Sequence, residues 1–210
     1  ELLKALEQLD RLPGLIADGH LQALAVTASG YTTGEHITFY RSQESRPPWI
    51  RSQRRAVSTD ITHGHLLASS AIPFIFPARL VPVGGQLHYL GDGSMRQTAP
   101  IAPAIHLGAE RILVVGAGRM HEPQAQLLSN VEPTYPSLAQ IGGHALSSIF
   151  LDALSVDIER AGRINQTLSL IPVDARARSS LRPLNLLVLS PSQRIDEIAS
   201  RHIRELPGPI

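Results

Sequence analysis

The chain has 210 residues, 43% of them hydrophobic, and a formal net charge of +1. That length carries a sizeable core, and so small a charge gives no strong field directed at nucleic acid or an anionic membrane. The absence of cysteine excludes disulfides, thiolate metal sites and a cysteine nucleophile, and Lys4, the only lysine, leaves almost no scope for Schiff-base or P-loop chemistry.

The first residue is Glu1, and an amphipathic pattern is already under way at Leu2, Leu3, Ala5, Leu6 and Leu9. The expectation is a piece of a longer polypeptide. Residues 1–12 read as a helix stopped by Pro13-Gly14. Gln22 to Ala28 reads as a buried strand, and Glu35 to Tyr40 as an alternating strand that pairs with it as a hairpin, Ile37 and Phe39 facing one way and His36, Thr38 and Tyr40 the other. Residues 41–58 carry Arg41, Arg46, Arg51, Arg54 and Arg55 and read as a solvated loop; a basic rim over a lipid headgroup is the sharper alternative. Thr59 or Asp60 is the expected cap of a helix over Ile61 to Ser70. His63 and His65, two apart, fall on different faces of that helix, which is poor geometry for a shared metal.

The run Ile72 to Val83 is apolar, with core packing preferred over lipid contact. Leu87 to Leu90 reads as a strand leading into Gly91-Asp92-Gly93. Asp-Gly is a common hairpin signal, and an aspartate there usually bonds its own backbone. Two flanking glycines also let a second group come close to the carboxylate, so Asp92 is the leading candidate for chemistry. Ala99 to Leu107 reads as a helix entered through Pro100 and closed by Gly108; Arg111 to Val115 reads as a strand buried on both faces. Gly116-Ala117-Gly118 is an incomplete dinucleotide loop, since His121 stands where the third glycine belongs. Residues 119–136 read as a loop and residues 138–156 as a long helix. Thr167 to Val173 and Leu184 to Leu189 read as strands joined by a loop over 174–183, and Ser190-Pro191-Ser192-Gln193 as the start of a last helix. The alternation of strands and helices implies one α/β domain over 1–210, a three-layer sandwich with a mostly parallel central sheet.

The order of these signals resembles one family. Ala68-Ser69-Ser70-Ala71-Ile72-Pro73-Phe74-Ile75-Phe76-Pro77 is similar to the A-S-x-A-x-P-x-x-F-P element of patatin-like phospholipases. A strand and a D-G-G or D-G-A motif follow it in that family; here the motif is Asp92-Gly93-Ser94. Pro100, then Gly108-Ala109, then Arg111 to Val115 match the next landmarks. Thr27-Ala28-Ser29, Thr33-Gly34-Glu35 and Phe39 match those upstream. The likeness spans about residues 20 to 205 in order. It implies a lipid acyl hydrolase with a Ser-Asp dyad, in which Asp92 is the base and Gly91, Gly93 and Ser94 shape its turn. It implies no metal and no cofactor. A lipid ester would be the substrate, with peripheral membrane contact, no nucleic-acid partner, and a place in the bacterial cytoplasm or at a membrane's edge.

Two departures stand out. Ser94 replaces the Gly or Ala of the motif, and no G-x-S-x-G occurs anywhere in the sequence. The nucleophilic serine and the glycine-rich oxyanion loop are therefore expected on a portion N-terminal to Glu1. Ser29, Ser69, Ser70 and Ser94 all lack a glycine elbow and are poor replacements. The alternatives are a binding or regulatory module of the same fold without a nucleophile, and a nucleotide-binding α/β domain using Gly116 to Gly118.

Overall fold

The computed structural model describes residues 8–95, 101–116, 135, 141, 156–176, 178–179 and 181–192. The expectations for residues 1–7, for the loop over 119–136 apart from Tyr135, for the helix over 138–155 apart from Ile141, and for the final helix lie outside them. Contacts gather in two units, residues 1–109 and 110–210.

The first unit is built on a six-stranded sheet of order β3-β4-β2-β1-β6-β5, with β1 Ala23–Gly30, β2 His36–Ser42, β3 Ile50–Arg51, β4 Arg54–Ser58, β5 Arg79–Val83 and β6 Gln86–Asp92. The mixed α/β class holds. The sheet is mostly antiparallel, however, and not mostly parallel as expected: only β2 and β4 run parallel. Buried apolar strands suggested a parallel sheet because such strands are usually covered on both faces. Here β2 is buried from His36 to Tyr40 and still pairs antiparallel with β1 across a short turn. Val26 faces Phe39 and Ala28 faces Ile37 in that register, so the expected hairpin and its two faces are both present.

Against the face of Ala28, Ile37 and Phe39 pack α1 (Gln8–Ala17), through Leu12 and Ile16, and α2 (His63–Ser69), through Ala68. Leu90, Val81 and Val83 close the same core. Helix α1 runs through Pro13-Gly14 and does not stop there. Leu12 and Ile16, one turn apart, are buried, while Pro13 and Gly14 face solvent. Burying that apolar stripe outweighs the local cost of the two breakers.

The arginine-rich stretch is not one loop. Residues 50–58 form the small hairpin β3–β4, with Gln53 at φ 57 in its turn, and β4 extends the sheet beside β2. Helix α2 is capped by Thr62, later than either expected residue. The Thr62 N–H donates to His65 Nδ1 at 3.0 Å, so the histidine plays the part that Glu or Gln takes in a capping box. His65 is buried, and its ring lies 4.4 Å from that of Phe39. Strands β5 and β6 form a hairpin around Gly84-Gly85, both at positive φ, the conformation a two-residue turn of this hand needs. Helix α3 (Ile101–His106) ends before Gly108 at φ 105, as expected of a glycine stop.

In the second unit β7 (Arg111–Val115) pairs parallel with β8 (Asn185–Leu189). Leu113 and Val115 are exposed, so β7 is not buried on both faces as expected. Residues 156–169 are helical (α4), which corrects the strand expected from Thr167. Ala161 and Leu168, seven apart, are its buried positions, whereas Leu170 is exposed. A one-turn helix α5 (Val173–Arg176) follows, in place of the expected strand end and loop. The Asn165 side chain bonds Leu184 at both N–H and C=O, 2.9 and 2.7 Å, and so fixes the chain entering β8.

Two predictions follow from α1 and α2. Gly14 has ordinary φ, and a Cβ built on it meets nothing within 4 Å. Gly14→Ala should therefore stabilise the protein by about 0.5–1 kcal/mol in denaturant titration, since a helix-interior glycine costs that much relative to alanine. Burial holds the His65 imidazole below its ordinary 6.5, and its Nδ1 is occupied as an acceptor. As pH falls, the unfolded chain takes up the proton first, so this contribution is intact above pH 6.5 and is lost as pH drops below it. Unfolding free energy measured between pH 7.5 and 5.5 should fall more steeply in the native protein than in His65→Gln.

Candidate active site

Asp92 is the last residue of β6, opposite Ala28 of β1 in register, which puts it on the α2 face of the sheet. It is 8% exposed. Its backbone N–H donates to the Ala71 carbonyl at 3.1 Å, which ties the strand end to the chain leaving α2. The motif therefore does not form a hairpin turn; that role belongs to Gly84-Gly85.

The glycines are required sterically. A Cβ at Gly93 would fall on the Thr27 carbonyl and hydroxyl oxygens. At Gly91 it would come within 2.6 Å of the Tyr31 ring. Neither glycine has positive φ, so close approach and not backbone strain explains them. Thr27 and Tyr31, in step with Ser29 and so on the face opposite Asp92, thus fill the space that the two glycines leave; the β1–β6 register and the exit of α2 bring them and Ala71 to this strand end, which no local pattern reports.

Ser94 lies in the 3-10 turn Gly93–Met95. Its backbone N–H donates to Asp92 Oδ1 at 2.8 Å and its hydroxyl to the same oxygen at 2.5 Å. Among the described residues, both hydrogen bonds to the carboxylate fall on Oδ1. Ser94 therefore orients the acid, and its hydroxyl is already committed. The other serines stand elsewhere. The Ser70 hydroxyl donates to the Leu66 carbonyl at 2.9 Å, a helix-end bond. Ser29 is buried, in register with His36 and Gly91 and so on the opposite face of the sheet from Asp92. The structure thus brings together Gly91, Asp92, Gly93 and Ser94, puts Ser29 on the opposite face and commits the Ser70 hydroxyl to the end of α2.

A cleft of about 320 Å³ lies between the start of β1 and α3, lined by Gln22, Ala23, Ala25, Pro103, Ala104, Leu107 and Ala109. Ala23 and Ala25 alternate with the residues facing Asp92, so this cleft is not beside the carboxylate. The basic rim is largely neutralised in place: Arg41 pairs with Asp60, Arg46 with Glu44 and Arg55 with Glu35, at 3.6, 2.8 and 3.4 Å. Trp49 stacks on both Tyr40 and His106, with centroids 5.1 and 4.6 Å away. Burial raises the Tyr40 phenol, and burial, reinforced by Arg51, lowers the His106 imidazole. Among the described residues no cluster of three or more His, Asp or Glu could hold a metal ion. Neither a protein-family model nor a curated protein matches the chain.

The two glycines are predicted to differ. At residue 93 the obstacle is backbone, which cannot move without disturbing β1; at residue 91 it is a side-chain ring that can swing away. Gly93→Ala should cost about 1–3 kcal/mol in denaturant titration, and Gly91→Ala clearly less.

Proposed function

We propose that this chain supplies the general base of a serine-dependent lipid acyl hydrolase, with Asp92 as that base. The observation that carries the reading is a buried carboxylate at a strand end, to which the described residues donate on Oδ1 only. The ordered resemblance to patatin-like phospholipases supports it, and the parallel pairs β2–β4 and β7–β8 are compatible with an α/β domain of that kind.

In this mechanism a serine hydroxyl from a segment outside the 210 residues donates to Asp92 Oδ2. As its oxygen attacks the ester carbonyl carbon, the proton passes to the carboxylate. Backbone N–H groups of a glycine-rich loop, also outside these residues, hold the oxyanion. The protonated Asp92 then returns the proton to the departing alcohol, leaving an acyl-serine ester. Water attacks that ester as Asp92 accepts its proton, and passing that proton to the departing serine oxygen releases the fatty acid and restores both the serine and the carboxylate. Ser94 does the orienting that a triad assigns to its last member.

One observation favours a second reading, a patatin-type module without catalysis. Both bonds on Oδ1 come from Ser94, two residues away, which is also how a purely structural aspartate turn is closed. The variant Asp92→Asn separates the two, because an amide oxygen still accepts from Ser94 but the side chain is no longer a base. In the full polypeptide it should lower hydrolysis of a p-nitrophenyl acyl ester by at least about 100-fold while the melting temperature stays close to native. Unchanged hydrolysis would remove Asp92 from catalysis. The 210 residues alone should give no turnover and no serine labelling by a fluorophosphonate; turnover or labelling would place the nucleophile inside this chain.

A further inference from the structure

The run that was expected to pack in the core does not do so at its tip. Phe74 is 95% exposed, Ile75 64% and Phe76 54%. The tip is a closed turn, because the Ile72 carbonyl accepts from the N–H groups of both Ile75 and Phe76. Phe74 sits at φ 68, a left-handed conformation that a bulky side chain adopts only at a cost in energy. A strained, hydrogen-bonded turn thus presents three large apolar side chains in succession. An exposed apolar cluster of this kind marks an interaction surface.

Charge narrows the occupant. From Ile61 to Gly91 the sequence contains no Asp or Glu, and β1 contains none either. In the three strands at this end of the sheet the one carboxylate is Asp92, which is buried. Arg79, three residues beyond Phe76, is exposed. The following hairpin also exposes Leu80 and Tyr89, cross-strand partners on the face opposite Arg79. Apolar and aromatic side chains beside a cation, with no surface carboxylate among these strands to repel phosphate, have the composition of an interfacial anchor. The edge of β5 is a poorer docking place for another strand, because Pro82 has no N–H to offer there.

We infer that the Phe74–Phe76 turn inserts into the interface of an anionic lipid bilayer and holds the protein there. The choice of lipid over protein rests on the lipid-ester reading above. The turn leaves α2 next to Ala71, whose carbonyl accepts the Asp92 N–H, so the anchor and the base belong to one continuous segment. Insertion would bring the base to the membrane surface, where lipid esters lie.

Cosedimentation with vesicles of diether phosphatidylcholine, with and without diether phosphatidylglycerol, tests this. The native chain should bind, more tightly to the anionic vesicles. Phe74→Ser/Phe76→Ser should weaken partition at least tenfold (about what losing one buried phenyl ring removes) with no change in melting temperature. Three results would overturn the inference: absence of binding, native-like binding by the double variant, or a lipid-independent dimer dispersed by those substitutions, which would assign the turn to a second copy of the chain. Ether lipids have no ester to cleave, so binding is read apart from hydrolysis. Binding lost while the full polypeptide still cleaves a soluble ester overturns the anchor alone. Binding kept while the full polypeptide fails to cleave a soluble ester overturns the catalytic reading alone.

Discussion

The end of β6 can lie against β1 only because residues 91 and 93 have no side chain. Three register pairs, Ala28 with Asp92, Ser29 with Gly91 and Gly30 with Leu90, join the β5–β6 hairpin to the rest of the sheet. Gly30 is crowded as well: a Cβ there would come within 2.7 Å of the Thr33 hydroxyl. Three glycines thus meet where two strands cross closely, and everything beyond depends on that junction. It seats Leu90 in the core, sets the Asp92 N–H on the Ala71 carbonyl, and so fixes the end of α2 relative to the carboxylate. The same contact that completes the sheet also determines the direction of its one buried acid on β6.

Strands with a clear apolar run of their own were legible, β7 and β8 included although their partners lie far apart in sequence; a strand without one was not. Strands β1 and β2 could be read because alternation and a Thr-Gly turn specify a hairpin locally. Strand β4 could not, since Arg54 to Ser58 buries only Ala56 and owes its conformation to pairing with β2. Strand direction was misjudged for the same reason. Burial on two faces is a property of position in the sheet, and a central antiparallel strand has it as much as a parallel one. Gly84-Gly85 was a readable hairpin signal that the apolar run around it concealed. The strand expected from Thr167 came from counting apolar residues; the buried spacing of Ala161 and Leu168 is helical, and Leu170 faces out.

The site divides along the same line. Asp92 and its bond from Ser94 are two residues apart and visible as a motif. Thr27, Tyr31 and Ala71 reach this strand end only through the register of β1 and the exit of α2, which no local pattern reports. The arginine stretch shows the reverse error, in which a local pattern suggests more than the fold delivers: three of its five guanidinium groups find carboxylates on the protein itself. Exposed ion pairs of this kind contribute little to stability, and they leave less charge for a ligand.

A carboxylate that loses water on burial needs donors in its place. Asp92 receives an N–H and a hydroxyl on Oδ1 from Ser94, the pattern of an aspartate that closes its own turn. The glycines on either side answer a different demand. Their missing side chains make room for the Tyr31 ring and for Thr27, so they are explained by the packing of β1 against β6 whatever the carboxylate does. The burial of Asp92 on the α2 face follows from that same packing, because residue 92 points away from the face on which residues 91 and 93 meet β1.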